Sequence, residues 1–359
     1  MIRVLVNFLY WGSEESGVFR AGSELIKYLS NYPLEIFLLT NKNIFYEKEN
    51  LKIKKINLTL KHKETHLIYT QFYIKKFLSE INPNILFNPF HLGYLFNLNI
   101  PQIVIIYDNI HLTVFKKRLN TYIYHKFLLP RLISKSNIII TPSQASKNEL
   151  VSFFKIPENK VKVVYLGVDK EKFKNLNLQK ENFYLIVNAT FPYKNVDYVI
   201  KLWRKFNIKE NLIIIGYHYK YTKYHNYLKE LTKKLNLENR IIFNPKVTDE
   251  ELIELYNKAK ALISPSLKEG FGLPPLEALA CGTPIILSNI PVYKEIYGDI
   301  GIFFELNNDE SFLLALEKLK NLNLNEFEEK RKEFLKKFDW QKTAEEVYKI
   351  IKDALQKFY

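Results

Sequence analysis

The sequence predicts an α/β protein built from two doubly wound parallel-sheet domains. Three observations carry this. Apolar, strand-like runs alternate with helix-like segments along the whole chain. The strand runs are continuous and β-branched, as in strands covered on both faces. The rhythm also stops and restarts once, in a chain whose 359 residues exceed what one core usually holds.

In the first half the expected strands are IRVLVNFL, LEIFLLT, NILFNPF, IPQIVIIYD and NIIITPS. AGSELIKYLSN and SQASKNELVSFF lie between them with helical periodicity. The second of these starts like a capped helix. Ser143 or Ser146 can cap it, and Glu149 stands three residues after Ser146. In the second half FYLIVNAT, NLIIIGY, NRIIFNP, KALISPS and TPIILSN read as strands, with VDYVIKLWRKF and TDEELIELYNKAK as helices. Two such sets in succession predict two Rossmann-like domains. The seam is expected in the polar stretch 170–182, giving domains 1–171 and 172–340. A last amphipathic segment, 341–359, is expected to pack back toward the first domain.

Composition narrows the class. A hydrophobic fraction of 47% with 25% charged residues describes an ordinary protein able to bury large cores. Cys281 is the single cysteine, so neither a disulfide framework nor a cysteine metal site is available. That fits a reducing cytoplasm. MIRVLVNFLYW reads as a buried strand rather than a signal peptide. Ile81 to Tyr107 carries no charge, but its prolines argue against a spanning helix. The net charge of +15 is uneven: residues 1–170 hold +11 and the remainder +4. Such a first half attracts an anionic partner, for which a membrane surface, a lipid-linked phosphate or a nucleic acid are candidates. A lysine-rich solvated surface explains the same number. No nucleic-acid recognition module or stacking signature is present, so nucleic acid is not expected as a partner.

The most informative stretch is EGFGLPPLEALACGTP, residues 269–284. It follows the strand-like KALISPS. Gly270 and Gly272 allow backbone angles and close approaches that a side chain would block. Pro274 and Pro275 suit a first helical turn, LEALA continues it, and Gly282 fits its stop. The expected order is strand, glycine loop, helix, strand. Exposed N–H groups at such a loop and helix start suit a diphosphate. Glu269 on the loop and Glu277 in the expected first turn can flank one ligand and accept hydrogen bonds from its hydroxyls. Glu277 alone would be explained as a carboxylate complementing the helix dipole, worth ~0.3–1 kcal/mol.

SPSLKEGFGLPPLEALACGTPII, with NIPVYKEIYGDIGIFF after it, resembles the donor-site signature of glycosyltransferase family 4. These are retaining nucleotide-sugar transferases of GT-B architecture. GVFRAGSELIKYLS, IVIIYDNIHL, TPSQASKNEL, YLGVDKEKF, FPYKNVD and VTDEELIELYNKAK agree in order and spacing. The resemblance covers essentially the whole chain. It is strongest from Asn239 to Phe304 and weakest from Asn41 to Tyr94.

The resemblance implies a GT-B fold whose two domains face a central cleft, the first binding acceptor and the second donor. It implies that Glu269 approaches hydroxyls of the donor sugar and that Glu277 accepts from the nucleotide ribose. Gly270 allows close approach, and backbone N–H groups at Phe271, Gly272 and Leu273 contact sugar and phosphates. Lys194 neutralises the diphosphate leaving group, where charge develops as the glycosidic bond breaks. Gly17 lies on a loop that phosphates approach. Asp108 orients the acceptor hydroxyl or contacts the donor sugar.

Two departures stand out. Tyr107 replaces the usual histidine before Asp108, which leaves His111, or His91, as a candidate substitute. The arginine that many members carry shortly before the lysine is absent from NATFPYK, which makes Arg20 and Arg240 candidates for a second diphosphate cation.

The implied activity is hexosyl transfer from a GDP- or UDP-linked sugar, with mannose or a related sugar favoured. The acceptor would be a glycan or a polyprenyl-diphosphate-linked saccharide in cell-surface polysaccharide assembly. Retention follows from the resemblance alone. The chain has no Asp-x-Asp, and no metal or other cofactor is expected. Location is expected to be cytoplasmic, peripheral at the inner face of the membrane. A dinucleotide dehydrogenase is disfavoured because no G-x-G-x-x-G occurs. A sugar-nucleotide epimerase is disfavoured by the EGFGLP loop. A catalytically silent scaffold of the same architecture is the alternative, against which Lys194, Glu269 and Glu277 all stand.

Overall fold

The computed structural model describes residues 1–10, 12, 14, 16–44, 46–56, 63–108, 110, 124–189, 191–216 and 222–358. The chain divides into two compact units, Met1–Gly167 with Trp340–Tyr359, and Val168–Asp339.

The first unit runs β1 (Ile2–Phe8), α1 (Gly17–Leu29), β2 (Leu34–Thr40), β3 (Leu51–Lys55), α2 (Lys63–Ile81), β4 (Ile85–Asn88) and β5 (Gln102–Ile105). A π-helical turn, Tyr124–Leu128, leads into α3 (Leu129–Lys135), then β6 (Ile138–Thr141), α4 (Gln144–Phe154) and β7 (Val161–Val163). These strands form one sheet in the order β3-β2-β1-β4-β5-β6-β7, and every pairing is parallel. β1 and β2 are in register from Ile2↔Leu34 to Phe8↔Thr40. On one face Leu5, Leu39 and Leu86 meet Ile74, Phe77 and Ile81 of α2. Ser143, rather than Ser146, caps α4 by accepting from the Ser146 N–H.

The second unit runs β8 (Phe183–Ile186), α5 (Val196–Lys205), β9 (Asn211–Ile215), α6 (Thr222–Lys234), β10 (Ile241–Asn244), α7 (Asp249–Lys258), β11 (Leu262–Ser264), α8 (Leu273–Ala280), β12 (Ile285–Ser288), α9 (Pro291–Tyr297), β13 (Ile302–Phe304), α10 (Asp309–Lys320) and α11 (Leu324–Leu335). Its sheet is also parallel, in the order β10-β9-β8-β11-β12-β13. Trp203 is fully buried against Tyr184 and Phe312 at the centre of its core. Thr248 and Glu251 form a capping box that starts α7.

The final helix, α12 (Trp340–Phe358), belongs to the first unit. It lies against α1, Tyr348 stacks on Tyr32 at 4.8 Å, and Thr343 donates to the Tyr165 carbonyl. Among the described residues no helix is long and apolar enough to cross a membrane.

Candidate functional site

In an open parallel sheet, ligands bind beyond the C-terminal ends of the strands where the order reverses. In the second unit that point lies between β8 and β11, which are paired through Leu185 and Leu262. The loops leaving these two strands carry Lys194 and Glu269. After β8 the chain bends at Asn188 (φ +63°) and makes a 3-10 turn, Pro192–Lys194, ending at Asn195 (φ +56°). Asparagine tolerates this left-handed region better than most residues. The Leu267 N–H donates to the Tyr193 carbonyl at 2.8 Å, which ties the two loops together.

Across that tie the Lys194 amine lies 2.6 Å from Glu269 Oε1, and each side chain is only 9% exposed. Two more donors reach the same oxygen, Ser266 Oγ at 2.7 Å and the Tyr293 hydroxyl at 3.3 Å. Among the described residues none reaches Oε2. A buried carboxylate held this way is fixed in position and has one oxygen committed to the protein.

Two tyrosines of α9 set the loop between Glu269 and α8. Tyr293 also shares a hydrogen bond with Ser264 at the end of β11, at 2.7 Å. One turn later, Tyr297 donates to the Gly272 carbonyl. Gly272 has φ +97°, and a Cβ there would lie 2.6 Å from the Tyr293 ring. Only glycine meets both conditions. Burial, with the Glu269 carboxylate nearby, holds both phenols well above their usual pKa, so they remain neutral donors. Neither tyrosine was singled out from the sequence. At i and i+4 on a short helix they are indistinguishable there from core residues.

Helix α8 begins at Leu273, so Pro274 and Pro275 fall inside its first turn as expected. Glu277, however, lies in the second turn. The expectation of a first-turn position took the prolines as the start, whereas Gly272 in its left-handed conformation starts the helix earlier. The Tyr256 hydroxyl, from α7, donates to Glu277 Oε2 at 2.9 Å. Gly282 (φ +80°) follows the last turn, and Arg331 Nη1 donates to the carbonyls of Leu279 and Ala280 there. A cation on those terminal carbonyls complements the helix dipole and fixes the end of α8. Phe271 is buried with its ring edge against Phe338, so its side chain serves packing.

The other sequence-predicted residues are carried by other elements. Gly17 is the first residue of α1, after the Ser16 cap, rather than on a loop. Arg20 lies in the same first turn, half-buried. Asp108 follows β5, half-buried, and its Oδ1 accepts from the Ile110 N–H at 2.9 Å. Tyr107 beside it is buried, and among the described residues its hydroxyl has no hydrogen-bond partner. Burial holds that phenol protonated. His91 is part-buried with its ring edge on Tyr124, whose hydroxyl donates to its carbonyl. His111 lies outside the described residues. Arg240 is at the start of β10, the sheet edge opposite to the loop ends, and donates to Asn207 and the Ile208 carbonyl. Among the described residues no group of three or more His, Cys, Asp or Glu converges.

The second unit thus offers two carboxylates, one amine and a glycine-opened helix start around one switch point. Carboxylates can accept from sugar hydroxyls, and an amine can counter phosphate charge.

Known proteins agree with this outline. Residues 167–352 match the family described as Glycosyl transferases group 1, and residues 16–172 match Glycosyltransferase Family 4. The chain is 32% identical over 200 residues to the O-antigen chain mannosyltransferase RfbU of Salmonella typhimurium, covering 56% of each protein. It is 31% identical over 260 residues to the uncharacterized glycosyltransferase MJ1178 of Methanocaldococcus jannaschii, covering 71% of this chain and 69% of that one. The chain thus spans just over half the length of the first of these relatives. Among solved structures, a glycosyltransferase from Rickettsia africae ESF-5 superimposes with a TM-score of 0.75 over 99% of this chain and 98% of that one, at 19% identity. Anabaena Alr3699/HepE in complex with UDP-glucose gives 0.78 over 98% of this chain and 100% of that one, at 13% identity. Such likenesses establish the fold, two parallel-sheet Rossmann-like domains as in the GT-B glycosyltransferases. The chain belongs to the group 1 glycosyltransferases, with a glycosyltransferase family 4 domain in its first half.

Proposed function

We propose that this chain is a retaining, metal-independent hexosyltransferase. It moves mannose or a related sugar from a nucleotide-diphosphate donor, GDP- or UDP-linked, to a glycan or polyprenyl-diphosphate-linked saccharide in cell-surface polysaccharide assembly. The second unit binds the donor and the first the acceptor, at the cytoplasmic face of the membrane. The observation that carries the reading is the Lys194–Glu269 pair at the switch point, beside the Gly272 turn. The names of the O-antigen mannosyltransferase relative and of the UDP-glucose complex support sugar and donor class.

The chemistry follows from the groups present. The donor's diphosphate draws the Lys194 amine, and the N–H groups at Gly272 and Leu273 supplement it at the start of α8. Glu269 Oε2 accepts a sugar hydroxyl while Oε1 stays with Ser266 and Tyr293. Glu277 accepts from the ribose. As the bond from C1 to the phosphate oxygen breaks, the acceptor oxygen bonds C1 on the same face. Its proton passes to the departing phosphate oxygen, so no carboxylate nucleophile is required. Lys194 counters the negative charge that grows on the leaving diphosphate and therefore stabilises the transition state more than the ground state. That fixed cation fills the role a metal serves in other transferases. Asp108, with His111, orients the acceptor, while Gly17 and Arg20 meet phosphates.

The test is incubation with GDP- and UDP-sugars and a polyprenyl-diphosphate-linked saccharide, with products read by mass spectrometry and the new anomeric centre by NMR. The reading expects a hexose added with retained configuration and full activity in EDTA. Absence of transfer from every common donor overturns it.

A further inference from the structure

The first unit carries large apolar side chains that its core does not use. On α2, Ile68 is 69% exposed, Phe72 60% and Tyr69 43%. Phe96, in the loop after β4, is 51% exposed, and Phe127, in the turn before α3, is 58% exposed. Helical spacing places Ile68, Tyr69, Phe72, Lys75 and Lys76 on the outward side of α2, opposite the buried Ile74 and Phe77.

These groups are joined. Gln71 of α2 donates to the Gly93 carbonyl and accepts from the Leu95 N–H, which brings the loop carrying Phe96 against the helix. Arg131 of α3 donates to the Leu95 carbonyl and lays its guanidinium over the Phe96 ring at 5.7 Å. Phe127 lies one turn before Arg131, with the Lys126 amine over its ring at 5.6 Å. Lys135, one turn further, donates to Asn97. The result is an apolar strip set among Lys75, Lys76, Lys126, Arg131 and Lys135. Glu80, 3.8 Å from Lys76, is the carboxylate on this side of α2 among the described side chains.

We propose that this face docks the protein on an anionic lipid bilayer. Ile68, Phe72, Phe96 and Phe127 enter the headgroup boundary, and the flanking cations meet anionic lipid. Aromatic and aliphatic tips beside lysines are the composition of an interfacial surface, where lysine and arginine keep their charge in water and lay their stems on apolar groups. Charge decides between occupants. A two-fold contact with a second copy would set these cations against themselves. A nucleic acid would leave Ile68 and Phe72 without a partner. The inference deepens the proposed function, giving a lipid-linked acceptor's bilayer a place to be met. It stands on the surface alone.

The test is co-sedimentation of the full chain with phosphatidylcholine vesicles, with or without phosphatidylglycerol, at low and high salt. The wild type is expected to pellet with the anionic vesicles at low salt only. Lys75→Ala with Lys76→Ala should weaken partition about tenfold or more, at ~1 kcal/mol for each cation near the surface. Phe72→Ser with Phe96→Ser should weaken it comparably, while Lys229→Ala with Lys233→Ala on α6 should not. Thermal melts of these surface variants should match the wild type. The inference is overturned by wild-type protein that ignores anionic vesicles, by variants that bind as well as wild type, or by a dimer that only the Phe72 and Phe96 substitutions dissociate. No donor or acceptor enters the assay, so its failure and failure of the transferase reading are separate results.

Discussion

The Lys194 amine and Glu269 Oε1 meet at 2.6 Å between the loops that leave β8 and β11, and both side chains are nearly closed off from solvent. A pair this buried is maintained by its geometry, and removing one partner strands the other. Breaking such pairs commonly costs ~3–5 kcal/mol. Lys194→Ala is therefore expected to lower Tm and to lose turnover by about a hundredfold or more, with a smaller change in donor affinity. Lys194→Met with Glu269→Gln should recover most of the Tm and none of the turnover. Normal turnover in Lys194→Ala would place the counter-charge elsewhere.

The two carboxylates differ in surroundings, and their variants should differ in kinetics. Glu269→Ala should lower kcat and keep much of the donor affinity. Glu277→Ala should raise the nucleotide Kd about tenfold, the effect of losing one hydrogen bond to a charged group. Steady-state kinetics with nucleotide calorimetry checks both. Equal and negligible effects would remove both assignments.

Tyr293 and Tyr297 hydrogen-bond to the loop at Glu269 and Gly272, and their variants are expected to act through it. Tyr293→Phe keeps the ring beside Gly272 but removes the hydroxyl from Glu269. The expected result is a kcat about tenfold lower at nearly unchanged nucleotide Kd. Tyr297→Phe releases the Gly272 carbonyl and should weaken nucleotide binding instead. Gly272→Ala should impair both, because φ +97° and the Tyr293 ring each oppose a Cβ. If the two Phe variants shift the same parameter equally, the tyrosines serve packing alone.

A pH effect is expected from Lys180, whose amine lies 2.7 Å from Thr283 Oγ1. The residue as a whole is exposed, but desolvation of its amine beside Thr283 pushes it down to about 8, below its ordinary value of 10.5. Between those values the folded chain holds fewer protons than the unfolded one, so this site's contribution to stability rises with pH there. It is lowest below that window, where charging the amine opposes folding. Lys180→Met should thus have a higher Tm than wild type near neutral pH, with the gap closing toward about pH 10. A gap independent of pH would show that the amine is solvated.

Much of this was legible in the sequence, for identifiable reasons. Strands such as IRVLVNFL and TPIILSN are buried on both faces and therefore appear as unbroken apolar runs. β3, LKIKK, escaped because it is an edge strand whose lysines face solvent, and β7 and β13 are three residues each. EGFGLP exposed its loop because glycine and proline restrict the backbone directly. The support behind the two carboxylates was hidden, since Tyr293 reaches Glu269 and Tyr256 reaches Glu277 from separate helices and neither carries a local pattern. Arg240 looked available until the sheet placed it at the wrong end.

The central claim is that the loop from Glu269 to Leu273, with Lys194, holds a sugar nucleotide. Calorimetric titration of the wild type with GDP-mannose and UDP-glucose tests it most directly. The account predicts a Kd in the range of roughly 1 μM to 1 mM for at least one, weakened about tenfold by Glu277→Ala. Heatless titrations with both donors, or binding that Glu277→Ala and Lys194→Ala leave untouched, would contradict it.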